Sequence, residues 1–147
     1  MSEHIRQIAP FRWEGVEVRP YKADGGTSSG VSRQVLFDGG DGLTCELRYF
    51  EVAPSGWTSL ERHRHAHAVM VVRGRGRALV GPRIYDVGIN DLVRVPSLTW
   101  HQFRAADDAP LGFLCLVDCE RDRPERPDSA ALAELQRDPS LREFLRA

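Results

Sequence analysis

The chain has 147 residues, 28% of them charged, and 20 Lys and Arg nearly balance 21 Asp and Glu for a formal net charge of -1. That length suits one domain with its own core, and interspersed charges of both signs recommend neither nucleic acid nor an anionic membrane, which leaves a small molecule as the expected partner. The first residues lack the apolar run of a signal peptide and no stretch reaches the length of a membrane span, so a cytoplasmic protein is expected.

In chain order, residues 1–40 read as an N-terminal arm and first strands, 41–118 as a barrel core, and 119–147 as a linker and helical tail, all one domain. Residues 31–37 form an extended run closed by Asp38-Gly39-Gly40-Asp41-Gly42. Residues 43–52 form the next, expected to stop at Pro54-Ser55-Gly56. Residues 69–72 run into Arg73-Gly74-Arg75-Gly76-Arg77, which reads as a hairpin turn, and residues 78–80 turn through Gly81-Pro82 into 84–87. Residues 92–95, 102–104 and 111–117 complete the set. Many short strands at regular turn spacing predict an antiparallel sandwich or small barrel. Helices are expected only over 129–135 and 140–145, where Leu132, Leu135, Leu141, Phe144 and Leu145 make an apolar stripe and Ser140 with Glu143 spells a capping box. Residues 121–128, with Pro124 and Pro127, read as the linker before them.

The cysteines Cys45, Cys115 and Cys119 match no zinc spacing and are expected to stay reduced. Cys45 and Cys115 sit in apolar runs and read as small buried hydrophobes, while Cys119 follows a strand end.

The run Glu61-Arg62-His63-Arg64-His65-Ala66-His67 places four potential metal ligands at alternate positions, which in an extended segment aims them to one side. Three of the five histidines lie here, and His101 follows Pro96 further on. With these motifs the chain resembles a cupin in its small, single-domain form, over roughly residues 43–117. Counting back seven residues from Gly74 puts a ligand at His67, and the four-residue step before it gives His63, with Glu61 at the first ligand position. In the second motif, Gly-x5-Pro-x-Gly-x2-His, Pro96 and His101 hold their places while Asn90 and Leu98 stand where glycines are usual. A register using His63 and His65 would put the third ligand near Val69 or Met70, which bind no hard cation.

The resemblance implies an all-β fold, an antiparallel double-stranded β-helix or jelly-roll barrel with a short C-terminal helical tail. It implies a divalent metal held by Glu61, His63, His67 and His101, with manganese, iron, nickel, cobalt and zinc all compatible, and open positions for a small oxygenated substrate. Oxygen activation would make the protein a dioxygenase; polarisation alone would make it an isomerase or lyase. Glu61 is either a ligand or, off the metal, a catalytic base. His65, Tyr49, Gln102 and Arg104 are candidates to support or line the pocket, with Arg48 beside them and Trp57 and Trp100 as walls. The alternative is a non-catalytic cupin that binds or senses a small molecule. A homodimer through an outer sheet face is expected, since residues 69–72 are apolar on both sides.

Overall fold

The computed structural model describes residues 2–21 and 27–147. Its elements are β1 (Gln7–Ala9), β2 (Arg12–Trp13), β3 (Arg19–Pro20), β4 (Ser29–Phe37), β5 (Cys45–Trp57), β6 (His67–Val80), β7 (Arg83–Gly88), β8 (Leu92–Val95), β9 (His101–Ala105), β10 (Leu111–Asp118), α1 (Ser129–Leu135) and α2 (Pro139–Phe144). The strands form an antiparallel barrel, one of the two architectures that the turn spacing predicted, and of the jelly-roll kind that the resemblance implied. β10 pairs with both β5 and β6, and β9 pairs with both as well, so these strands close a ring; β4 flanks β5, and β7 and β8 flank β6.

Two long strands make the corners. The first half of β6 pairs with β8 and β10, and the second half with β7 and β9. The predicted hairpin at Arg73–Arg77 is therefore a bend inside one strand. Gly74 makes the bend with φ of 66°, and any Cβ there would overlap the Pro110 carbonyl, so glycine serves close approach rather than chain reversal. Likewise β5 does not stop at Pro54; it continues to Trp57 through a corner where Ser55 takes φ of 65°. Proline is tolerated there because the corner interrupts the ladder.

The interior is filled by inward residues of every major strand, including Val52, Val69, Val71, Val95, Leu111 and Phe113. A second cluster lies outside the barrel wall, where Leu60 and Leu79 meet Leu141, Phe144 and Leu145 of the tail, with Trp100, Leu132 and Leu135 packed on it. The helical stripe thus docks on its own barrel. The cap of α2 is Asp138, which accepts the N–H groups of Ser140 and Leu141 ahead of Pro139 in the first turn, so the cap lies two residues before the Ser140 expected from the capping-box pattern.

The arm before β3 is ordered as well. β1 and β2 form a hairpin whose Phe11 and Trp13 rings pack on Tyr49 at 5.3 and 5.4 Å, and the Phe11 carbonyl accepts from Gln34 Nε2. Among the described residues no helix is long and apolar enough to cross a membrane.

Candidate metal centre

Strand pairing brings the two histidine-bearing segments together. Glu61 and His101 exchange backbone hydrogen bonds, at 3.2 Å from the Glu61 N–H and 3.0 Å from that of His101. Three residues before His101, the Leu98 N–H donates to the His63 carbonyl at 2.7 Å. Leu98 reaches it with φ of 53°, and Asn90 has φ of 74°. The two positions where the second motif lacks glycine therefore keep the left-handed backbone that glycine ordinarily supplies.

His63, His67 and His101 converge, with one ligand atom from each lying within 4.8 Å of the others. Their ring centroids are 4.8 to 5.1 Å apart. The tautomers suit a metal. His63 Nδ1 lies 2.6 Å from the His65 carbonyl and His101 Nδ1 lies 2.9 Å from that of Thr99, so both nitrogens must carry hydrogen and both Nε2 lone pairs face inward. His67 Nδ1 lies 3.1 Å from Cys115 Sγ, while its Nε2 is 3.3 Å from His101 Nε2. Burial, with His101 and His63 close by, holds the His67 pKa down to about 2. Burial also lowers that of His63. Neutral imidazoles with inward lone pairs at this separation are a fitting donor set for a divalent cation.

Glu61 is buried and lines the same cavity, but its carboxylate lies outside the converging trio. His65 does not point at the cluster centre. Its ring stacks nearly parallel on His63 at 3.6 Å, and its Nδ1 meets Asp122 Oδ1 at 2.9 Å. Asp122 also accepts the N–H groups of Arg64 and His65, which hold its carboxyl well below the usual carboxylate range. The strict alternation read from residues 61–67 is broken by this bend.

Three expected pocket residues lie elsewhere. Tyr49 is on the outer face of β5 beneath the N-terminal hairpin, its hydroxyl donating to Glu51 at 2.8 Å. Gln102 donates to the carbonyls of Thr58 and Arg146 and accepts the Arg146 N–H, and Arg104 donates to the Phe144 carbonyl. Both serve the docked tail because alternation along β9 turns them away from the interior. Neither Trp57 nor Trp100 lines the cavity.

The cavity itself measures about 340 Å³ and is lined by the four histidines, Glu61, aromatic residues and three arginines. It also contains Cys115, which register places opposite Arg48 on β5 and Val69 on β6. Arg48 Nη2 donates to its sulfur at 3.5 Å. Burial raises the thiol pKa, with Arg48 acting against it. Read from the sequence as a buried hydrophobe, Cys115 is buried but faces the functional space. Alternation with Phe113 and Val117 pointed it inward; its depth along the barrel depended on partners distant in sequence.

Comparison with known proteins agrees with this architecture. The cupin domain family matches residues 48–117. The chain is 52% identical to 1-methylthio-D-xylulose 5-phosphate methylsulfurylase of Rhodospirillum rubrum, across 98% of this chain and 95% of that one. A solved cupin 2 conserved barrel domain protein from Rhodopseudomonas palustris has a TM-score of 0.92 at 50% identity, covering 98% of this chain and 99% of its own. A cupin 2 domain-containing protein from Halorhodospira halophila has a TM-score of 0.76 at 38% identity, with 98% and 96% covered. The chain belongs to the cupin superfamily, as a small cupin-2 conserved-barrel protein.

Proposed function

We propose that the protein is a divalent-metal-dependent enzyme that moves a methylthio group from a 1-methylthio-ketopentose 5-phosphate to a thiol. The observation that carries this reading is the Cys115 thiol, 3.1 Å from His67 in the cavity that the three converging imidazoles share. The name of the Rhodospirillum rubrum relative supplies the substrate, and identity over nearly the whole of both chains supports its transfer.

His63, His67 and His101 would hold a divalent ion, which when bound would supply Lewis-acid polarisation of the ketone and lower the cost of leaving negative charge on the adjacent carbon. Cys115 then bonds to the methylthio sulfur as the bond from that sulfur to C1 breaks. The electron pair of the broken bond stays on C1, which takes a proton. The carbon is reduced by two electrons, and the two sulfurs become a disulfide. A second, small thiol exchanges with that disulfide, leaves as the mixed methyl disulfide and restores Cys115. Arg48 and the Nδ1–H form of His67 both offer hydrogen bonds to the sulfur, which offset part of the burial that raises its pKa. Glu61, buried in the cavity and tied to the His101 backbone, is assigned the proton delivered to C1. This chemistry uses polarisation without oxygen, but as a group transfer it is neither the dioxygenase nor the isomerase or lyase expected from the family resemblance.

The test is mass spectrometry of metal-loaded protein mixed with the methylthio sugar phosphate before any free thiol is added. One methylthio group on Cys115 is expected, with turnover lost in Cys115→Ala. Wild-type turnover by Cys115→Ala would overturn the reading.

A further inference from the structure

The cavity has a second pole that the histidines leave unused. Arg33, Arg48 and Arg121 all line it. Arg33 on β4 stands opposite Phe50, and Arg48 lies two residues earlier on β5, so both belong to the inward rows. Arg121 enters from the chain just past β10.

These guanidiniums stay charged at any working pH and match the geometry of a phosphate. Their carboxylate partner is shared: Glu46 lies 3.7 Å from Arg48 Nε and 3.3 Å from Arg121 Nη1. Arg33 forms no ion pair among the described residues. Arg48 is only 9% exposed, and its Nε is buried without a hydrogen-bond partner. Glu46 balances this charge from 3.7 Å without hydrogen-bonding Nε, which leaves the donor open to an incoming acceptor. Asp122 lines the same cavity as a carboxylate kept ionised by its hydrogen bonds from His65 and two backbone N–H groups, so with Glu46 it faces three guanidiniums.

We propose that Arg33 and Arg121 form an anion subsite that takes the phosphate monoester end of the substrate while the histidine pole takes its carbonyl end, with Arg48, which contacts both Cys115 and the Glu46 shared with Arg121, lying between the two. The sugar skeleton rests on the functional reading above; the subsite rests on the arginines. A cavity of about 340 Å³ suits a ligand of this size, held at both ends.

The experiment is calorimetric binding of D-xylulose 5-phosphate and of D-xylulose to metal-loaded protein, with inorganic phosphate titrated into metal-stripped protein. The phosphorylated sugar is expected to bind at least about tenfold more tightly, through charge-assisted contacts. Arg33→Gln and Arg121→Gln should each remove most of that advantage and weaken inorganic phosphate binding, while Arg33→Lys retains part of both. Neither substituted side chain is buried, and unchanged metal content assigns the loss to the subsite. Equal affinity for the two sugars, or wild-type binding of the phosphorylated sugar by Arg33→Gln, would overturn the proposal. Arg33-dependent binding without methylthio transfer would refute the transfer chemistry and keep the subsite. Equal transfer from phosphorylated and unphosphorylated substrates would do the reverse.

Discussion

Leu98 donates its backbone N–H to the carbonyl of His63 from a left-handed conformation, and this bond ties the second histidine segment to the first. A leucine in that conformation carries a steric cost of about 1–2 kcal/mol that glycine does not. The side chain is half exposed and contributes little packing. Leu98→Gly is therefore expected to raise stability by about 1 kcal/mol, after the greater unfolded-state freedom of glycine is counted. Urea denaturation of the metal-free protein measures it, and a loss of stability would contradict the strain argument.

Metal binding should be visible as stabilisation. At a free-ion concentration a hundredfold above the dissociation constant, the gain is about 2.7 kcal/mol, or roughly 8 °C in Tm for a chain of this size. His63→Ala, His67→Ala and His101→Ala are each expected to abolish that shift in differential scanning fluorimetry. Glu61→Gln should keep the shift and lose turnover, as its proton role requires; loss of bound metal in this variant would instead make Glu61 a ligand.

The metal-free protein should weaken in acid. His67 has a folded-state pKa of about 2, against an ordinary value of 6.5. Below pH 6.5 the unfolded chain therefore binds a proton that the folded chain refuses, so stability is full above that pH and declines as pH falls toward about 2. The slope is about 1.4 kcal/mol per pH unit for one such group, with His63 adding in the same direction. Chemical denaturation midpoints at pH 7.5, 6 and 5 would show the decline, and metal-loaded protein should resist it until protons displace the ion.

Association through the outer sheet face remains a proposal with a clear handle. Met70 and Leu92 are register partners and both exposed, and Leu116 on the neighbouring strand is exposed too. We expect a homodimer by light scattering at micromolar concentration and a monomer for Leu92→Glu. A monomeric parent would refute the pairing.

The tail should matter to the whole fold. Phe144 is 1% exposed, sits against Leu60 and Leu79, and receives Arg77 and Arg104 over its ring. Phe144→Ala is expected to cost about 3–5 kcal/mol in a urea unfolding series.

The succession of strands along the chain and the all-β class were legible because turn residues punctuate apolar runs at short intervals. The three converging histidines were legible because their spacings to Gly74 and Pro96 survive even where Asn90 and Leu98 replace glycine. Residue alternation failed where the chain bends. The corner at Gly74 looked like a reversal because a positive-φ glycine serves either purpose, and His65 left the alternating row because Asp122, 57 residues away, holds its ring and backbone. Tyr49, Gln102 and Arg104 were misplaced for a related reason: polar tips on strands can serve either face, and which face is covered by an arm or tail depends on docking between distant segments. The same distance hid Cys115 and Arg33, whose positions become functional only when β4, β5 and β10 are laid side by side.

Asp122 follows the last barrel strand in the chain, whereas His63, His67 and His101 all precede it. During synthesis the imidazoles therefore leave the ribosome first, and the carboxylate that steadies His65 against His63 emerges only afterwards. A released chain ending at residue 118 would carry the full imidazole trio with its supporting turn unanchored, so its affinity for an ion would measure what that anchoring adds.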